Sequence, residues 1–398
     1  MSIYIWDKEI KNLCIWDSSA KEVYLWDTKV RPAYKPRTFT ISRTEQSNMS
    51  SWWTYSDDAT GLTAGSSDFD EFFWYYGCRL NTSWQETDTI TQEQSWWAWK
   101  LDITQLGTLT SGDNVMIAFP VRWIKMTKSW SVVTLSITEE LWKSWYQYYA
   151  FQNTGDINTN TENTSTHKLY LWAYVGYKTG WVLKSLSSKT PTTDSMANLL
   201  TASNANGTGW TMIWWYQRMY LQALYIMKYG NPDSQTVIWK WYTWWSSITS
   251  TWWTNSQSNA TYWTTSWTTQ CKLFWIEDFR WNTWHFIWWI FTTTNQQVYV
   301  ALHDFSGSVT SSSPYVYLLT NSFTTWREIA NVVWTNKWMF IPSATVVNSN
   351  MNTYYCDPWT TYNWWVAWMW WNYSQWTSAW VFRTMFAWDS ASAGWWTR

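Results

Sequence analysis

Apolar and polar residues alternate from the first residues of the chain, and the alternation breaks at a fixed interval. Ile5-Trp6-Asp7, Ile15-Trp16-Asp17 and Leu25-Trp26-Asp27 recur every ten positions, each after alternating apolar residues. A period of two predicts strands, and the breaks predict two-residue reversals. Arg31-Pro32 and Lys35-Pro36 close this stretch, because proline removes amide donors and restricts φ. Residues 1–37 are therefore read as a β repeat for attachment or oligomer contact, and residues 38–398 as the main module. Within that module, 38–150 is its β-rich N-terminal part and 151–398 its core and ligand-display region.

Alternation also predicts strands at 115–119, 121–126, 132–137 and 169–175. Residues 216–229 carry Met219, Leu224 and Met227 near helical spacing, followed by Gly230-Asn231-Pro232 as a stop signal. They predict the one clear helix. Residues 38–110 read as loop-like, with Asp57, Asp58, Asp68, Asp70 and Glu71 as a solvated face whose spacing matches no calcium loop. One helix among many strands predicts an α+β fold.

Composition changes this picture at the reversals. The chain holds 46 Trp and only 13 Gly in 398 residues, whereas glycine is ordinarily roughly 7% of a sequence. Tight hairpin turns call for positive φ, which glycine adopts freely and an indole-bearing residue does not. Tryptophan stands at such corners in the ten-residue repeat, at Lys128-Ser129-Trp130-Ser131, and in the Ser/Thr-rich stretch holding Trp252-Trp253, Trp263 and Trp267. At about 200 Å² each, 46 indoles carry about 9,000 Å². That is over half the roughly 16,000 Å² surface of a folded monomer of this mass. The pattern predicts that most of these positions are glycine in the natural polypeptide, encoded by UGA, and that Trp53, Trp215 and Trp284 are genuine.

Charge is nearly balanced, with 27 Lys+Arg against 28 Asp+Glu, so no basic field points to nucleic acid. No apolar run reaches the length of a membrane span, and Asp7, Lys8 and Glu9 interrupt the place of an export signal. The expectation is a protein made in the cytoplasm without a signal peptide and without membrane insertion. Cys14, Cys78, Cys271 and Cys356 are widely spaced, with no C-x-x-C. His167, His285 and His303 form no metal pair, and His303-Asp304 has no nucleophile elbow beside it. No metal, cofactor or catalytic residue is expected.

Read with glycine for tryptophan, residues 273–286 become L-F-G-I-E-D-F-R-G-N followed by an aromatic-rich turn. This resembles the G-x-x-D-x-x-G-N-x-x-E-W segment of the formylglycine-generating-enzyme-like branch of the C-type lectin fold, as found in phage tail-fibre and minor structural proteins. Residues 55–58, 117–124, 187–193, 221–235 and 378–382 resemble the same group in the same order, and the N-terminal repeat resembles its Y-L-G-D-T-K-V modules. Asp278, Asn282 and Arg398 stand at the structural motif positions, while His285 replaces the acid the family prefers. The catalytic cysteine arrangement of the true oxidases is not recognisable around Cys271 or Cys356. The resemblance thus implies a C-type-lectin-like fold without the oxidase chemistry, preceded by a short N-terminal β repeat.

In such tail proteins the C-terminal region displays side chains that bind a cell surface. Here Tyr354, Tyr355, Asp357, Tyr362, Asn363, Asn372, Tyr373, Gln375, Asp389 and Ser390 supply the Tyr/Ser/Asn vocabulary of binding loops. The function expected is a phage-type receptor-binding or tail-fibre protein located in the virion tail. Its partners would be a host-surface glycan or protein and other tail proteins, and a homotrimer would suit a fibre. Two alternatives are an oxidase of the formylglycine-generating type and a cell-surface adhesin stacking sugars on genuine tryptophans.

Overall fold

The computed structural model describes residues 35–44, 53–89, 110–151 apart from 142, 168–231, 271–278 and 340–346, together with separate strands and short pieces elsewhere. Antiparallel sheets and a few helices make it an α+β structure.

Two four-stranded antiparallel sheets form the N-terminal half. One runs Trp123–Ser129, Val132–Thr138, Thr38–Thr44 and Thr54–Asp57 in spatial order. Val133, Leu135 and Ile137 are fully buried on alternate positions, as a sheet with one core face requires. The other runs Lys168–Trp172, Asn114–Pro120, Tyr76–Leu80 and Glu86–Thr89. Its inner strand is buried on both faces from Asn114 to Phe119, so the strand expected there from alternation forms instead from a continuous apolar run. The strands predicted at 115–119, 121–126, 132–137 and 169–175 are thus present with shifted ends.

Helix α1 spans Ser67–Phe73, α2 Met196–Asn204 and α3 Trp215–Tyr229. The predicted helix is α3, and every residue from Trp215 to Lys228 is buried, so it serves as the central pillar. Gly230 ends it in a left-handed conformation, φ 56°, with its N–H donating to Ile226 O at 2.8 Å. Helix α1 corrects the loop-like reading of its segment. Phe69, Phe72 and Phe73 lie at helical spacing and are fully buried, while Asp68 and Asp70 occupy the first turn, where carboxylates suit the helix dipole. Asp70 accepts from Tyr75 OH at 2.6 Å and pairs with buried Lys228 at 2.5 Å, tying α1 to the end of α3.

An eight-stranded sheet forms the C-terminal part. Its order is Tyr315–Thr320, Gln297–Ala301, His285–Thr292, Trp365–Met369, Thr384–Phe386, Pro358–Thr361, Arg327–Val332 and Pro342–Val346. Only Pro358–Thr361 and Thr384–Phe386 pair in parallel among these neighbours. At the N-terminus, Val23–Leu25 pairs with Thr28–Arg31 in a separate hairpin. Leu25 opposes Thr28, and Trp26 and Asp27 between them lie outside the described residues. The first two repeats lie outside the described residues.

Ten non-glycine residues among those described have positive φ, and five are tryptophans: Trp74, Trp84, Trp130, Trp145 and Trp275. Tryptophan is about one residue in nine of the chain, so this conformation concentrates it several-fold. Trp130, at the corner of the hairpin joining Trp123–Ser129 to Val132–Thr138, has φ 54° and is 95% exposed.

Candidate functional site

The segment singled out by its resemblance folds as a tight hairpin in the core. Lys272–Leu273 pairs with Ile276–Glu277, and the connecting Phe274 and Trp275 have φ 52° and 65°. Two left-handed residues in a two-residue connection are the signature of a type I′ turn, whose second position favours glycine. Every residue from Cys271 to Asp278 is buried. The Phe274 ring meets Phe73, Tyr75 and Phe119 edge-on at 5.4–6.5 Å between centroids. Backbone bonds lock the hairpin to two other segments: Lys272 exchanges both with Tyr262 and Trp275 N donates to Ala260 O in one, and Glu277 N donates to Ala173 O in the other.

Three ionisable side chains sit within this hairpin. Lys272 Nζ donates to Thr254 O at 3.2 Å and lies 4.1 Å from the Trp275 ring centroid. Burial pushes its pKa down to about 7, against the opposing pull of the Glu277 charge. Glu277 faces Lys272 across the hairpin, and its Oε2 accepts from both Thr254 N, at 2.9 Å, and the Thr254 hydroxyl. Asp278, fully buried, takes a left-handed φ of 54° and donates its N–H to Cys271 O. At 0–2% exposure these groups do not face solvent. Their chemistry is that of a keystone holding strands together. Asn282 and Arg398 lie outside the described residues.

A second polar cluster lies on one face of the sheet that includes Asn114–Pro120. Tyr76 and Tyr170 both stand opposite Ala118 on its two sides, so their phenols project over a small side chain. Glu86 Oε1 accepts from Tyr170 OH at 2.7 Å, Tyr76 OH at 2.8 Å and Lys168 Nζ at 2.9 Å. Burial would raise the Glu86 pKa, but the bonds from Lys168, Tyr170 and Tyr76 outweigh it and hold the carboxyl below its ordinary value. Both phenols are raised, first by burial and then by the Glu86 bond. Sequence reading did not single out this cluster. The one available signal was the Lys168-Leu169-Tyr170 alternation, which puts Lys168 and Tyr170 on one face.

All ten residues expected to bind ligand (Tyr354, Tyr355, Asp357, Tyr362, Asn363, Asn372, Tyr373, Gln375, Asp389 and Ser390) lie outside the described residues. The strands between them are described: Pro358–Thr361, Trp365–Met369 and Thr384–Phe386 are neighbours in the interior of the eight-stranded sheet. Cys271 is buried, and Cys356 is outside the described set. Among the described residues no three His, Cys, Asp or Glu side chains gather as a metal site would need, and no helix is long and apolar enough to cross a membrane. A hollow bounded by Arg122, Gln147, Phe151, Tyr216 and Tyr220 leaves no room for a water molecule. Comparison with known proteins finds no matching family model, curated protein or solved structure.

Proposed function

We propose that the chain is a phage-type tail-fibre or receptor-binding structural protein whose C-type-lectin-like module displays C-terminal loops to a host-surface glycan or protein. The observation that carries this reading is the buried hairpin of Lys272–Leu273 and Ile276–Glu277. Its second turn position is left-handed, which suits the glycine that the L-F-G-I-E-D reading puts at 275, and its Asp278 is buried. Display from a rigid scaffold is supported by the strands that flank the candidate binding residues, which are interior rather than edge strands of their sheet. Function follows from these loops and not from the fold alone. In this reading residues 1–37 contact other tail proteins, and a trimer suits the fibre.

Binding of the glycine-restored protein to candidate host cells tests the proposal. It should fall at least tenfold when Tyr362 and Tyr373 are both changed to Ala, with the far-ultraviolet circular dichroism unchanged. Undiminished binding would remove residues 354–392 from the contact face. A second reading, an adhesin stacking sugars on genuine indoles, is favoured by the exposure of Trp130 (95%) and Trp181 (83%) at hairpin corners. In the protein made with the written tryptophans, Trp130→Ala and Trp181→Ala would then weaken binding, and under the first reading they leave it unchanged.

A further inference from the structure

We infer that the natural polypeptide carries glycine at positions 74, 84, 130, 145 and 275 and genuine tryptophan at 53 and 215. Composition alone points to an excess of indole; the backbone says where the excess lies. Each of the five occupies a different, stereotyped glycine slot. Trp74 caps α1 in the left-handed conformation with its N–H donating to Asp70 O, as Gly230 does after α3 with Ile226 O. Trp84 is the last residue of a three-residue loop closed by Asn81 N donating to Gln85 O; there a left-handed residue makes the bulge that ends the turn.

Trp130 is the first of two connecting residues, and it alone of the pair has positive φ, the pattern of a type II′ turn with glycine at that position. Trp145 is the third residue of a turn closed by Tyr146 N donating to Lys143 O, the place where a type II turn demands positive φ. Trp275 is the second residue of the type I′ connection in the buried hairpin. At 130 the indole is 95% exposed, so packing gives it no reason to be there. At 275 the ring is buried under Lys272 Nζ at 4.1 Å, and at 84 the indole N–H donates to Thr208 O at 2.8 Å and the ring stacks on Trp210, so at these two positions the inference rests on the turn pattern alone.

The two contrasting residues do not have positive φ. Trp215 begins α3 with a helical backbone and is 1% exposed, among the largest fully buried side chains described. Trp53 receives the guanidinium of buried Arg43 on its ring face at 4.8 Å. Such a split within one residue type is what a chain looks like when two codons, one read as glycine and one as tryptophan, are written with the same letter. It implies a translation apparatus that delivers glycine at UGA. It also removes Trp130 and Trp145 from the set of sugar-stacking platforms, independently of the receptor-binding reading.

The test is tandem mass spectrometry of peptides from the protein purified from cells that carry the gene. The five slots should each weigh about 129 Da less than the written residue, the difference between an indolylmethyl group and hydrogen. Residues 53 and 215 should weigh as tryptophan. Tryptophan at any of the five, or glycine at 53 or 215, overturns the inference.

Discussion

Replacing Trp130 by Gly should stabilise the protein, although it deletes the largest side chain there is. The residue sits at the hairpin corner with φ 54°. A residue bearing Cβ is strained there by about 1–2 kcal/mol relative to glycine. With 95% of the residue exposed, only about 10 Å² of an indole-sized surface is withdrawn from water, worth a few tenths of a kcal/mol at ~25 cal/mol/Å². Glycine also loosens the unfolded chain, which takes back about 0.4–1 kcal/mol. The net expectation is a gain of about 0.5–1 kcal/mol for Trp130→Gly. Trp130→Ala retains the Cβ and should be close to neutral. Urea unfolding followed by far-ultraviolet circular dichroism reads the difference as a higher midpoint at unchanged slope. A midpoint that falls in Trp130→Gly, or rises equally in Trp130→Ala, would refute the reasoning, since the strain would not reside in the Cβ.

Two further predictions concern the buried hairpin. The folded protein releases the Lys272 proton near pH 7, while the unfolded chain keeps it to the ordinary value of 10.5. The unfolded state therefore binds the extra proton between those values, and stability rises with pH across that window. The cost of burying Lys272, roughly 5 kcal/mol on this displacement, is fully present below pH 7. Lys272→Met should flatten the dependence, and equal slopes in parent and variant between pH 7 and 10 would exclude Lys272 as its origin. Phe274→Ala removes a fully buried ring that meets three others edge-on; it should cost about 3–5 kcal/mol by denaturant unfolding. A loss under 1 kcal/mol would mean that the hairpin is not a keystone.

Strand and helix existence was legible where period and punctuation agreed. The alternation of residues 132–137 and the Gly230-Asn231-Pro232 stop both mark elements that form, because a half-buried strand and a capped helix leave their pattern in the text. Helix α1 was not legible. Its seven residues are too short to display a period, and its acids masked Phe69, Phe72 and Phe73, which only tertiary packing reveals as one face. The Tyr76–Glu86–Lys168–Tyr170 cluster was hidden for another reason. Its members come from three strands separated by up to 94 positions, and sheet order brings them together. The need for glycine at the hairpin corners was legible in the sequence at Trp130, whereas Trp74, Trp84 and Trp145 show it only through their backbone conformation.

The most direct measurement is the mass of one tryptic peptide, residues 22–29 of the protein taken from its natural source. Val23–Leu25 and Thr28–Arg31 pair with each other, and the single tryptophan between them in sequence stands at a reversal that the ten-residue period marks. The account predicts a peptide about 129 Da lighter than the written sequence, with glycine at position 26. A peptide of the written mass, with tryptophan sequenced between Leu25 and Asp27, would contradict it.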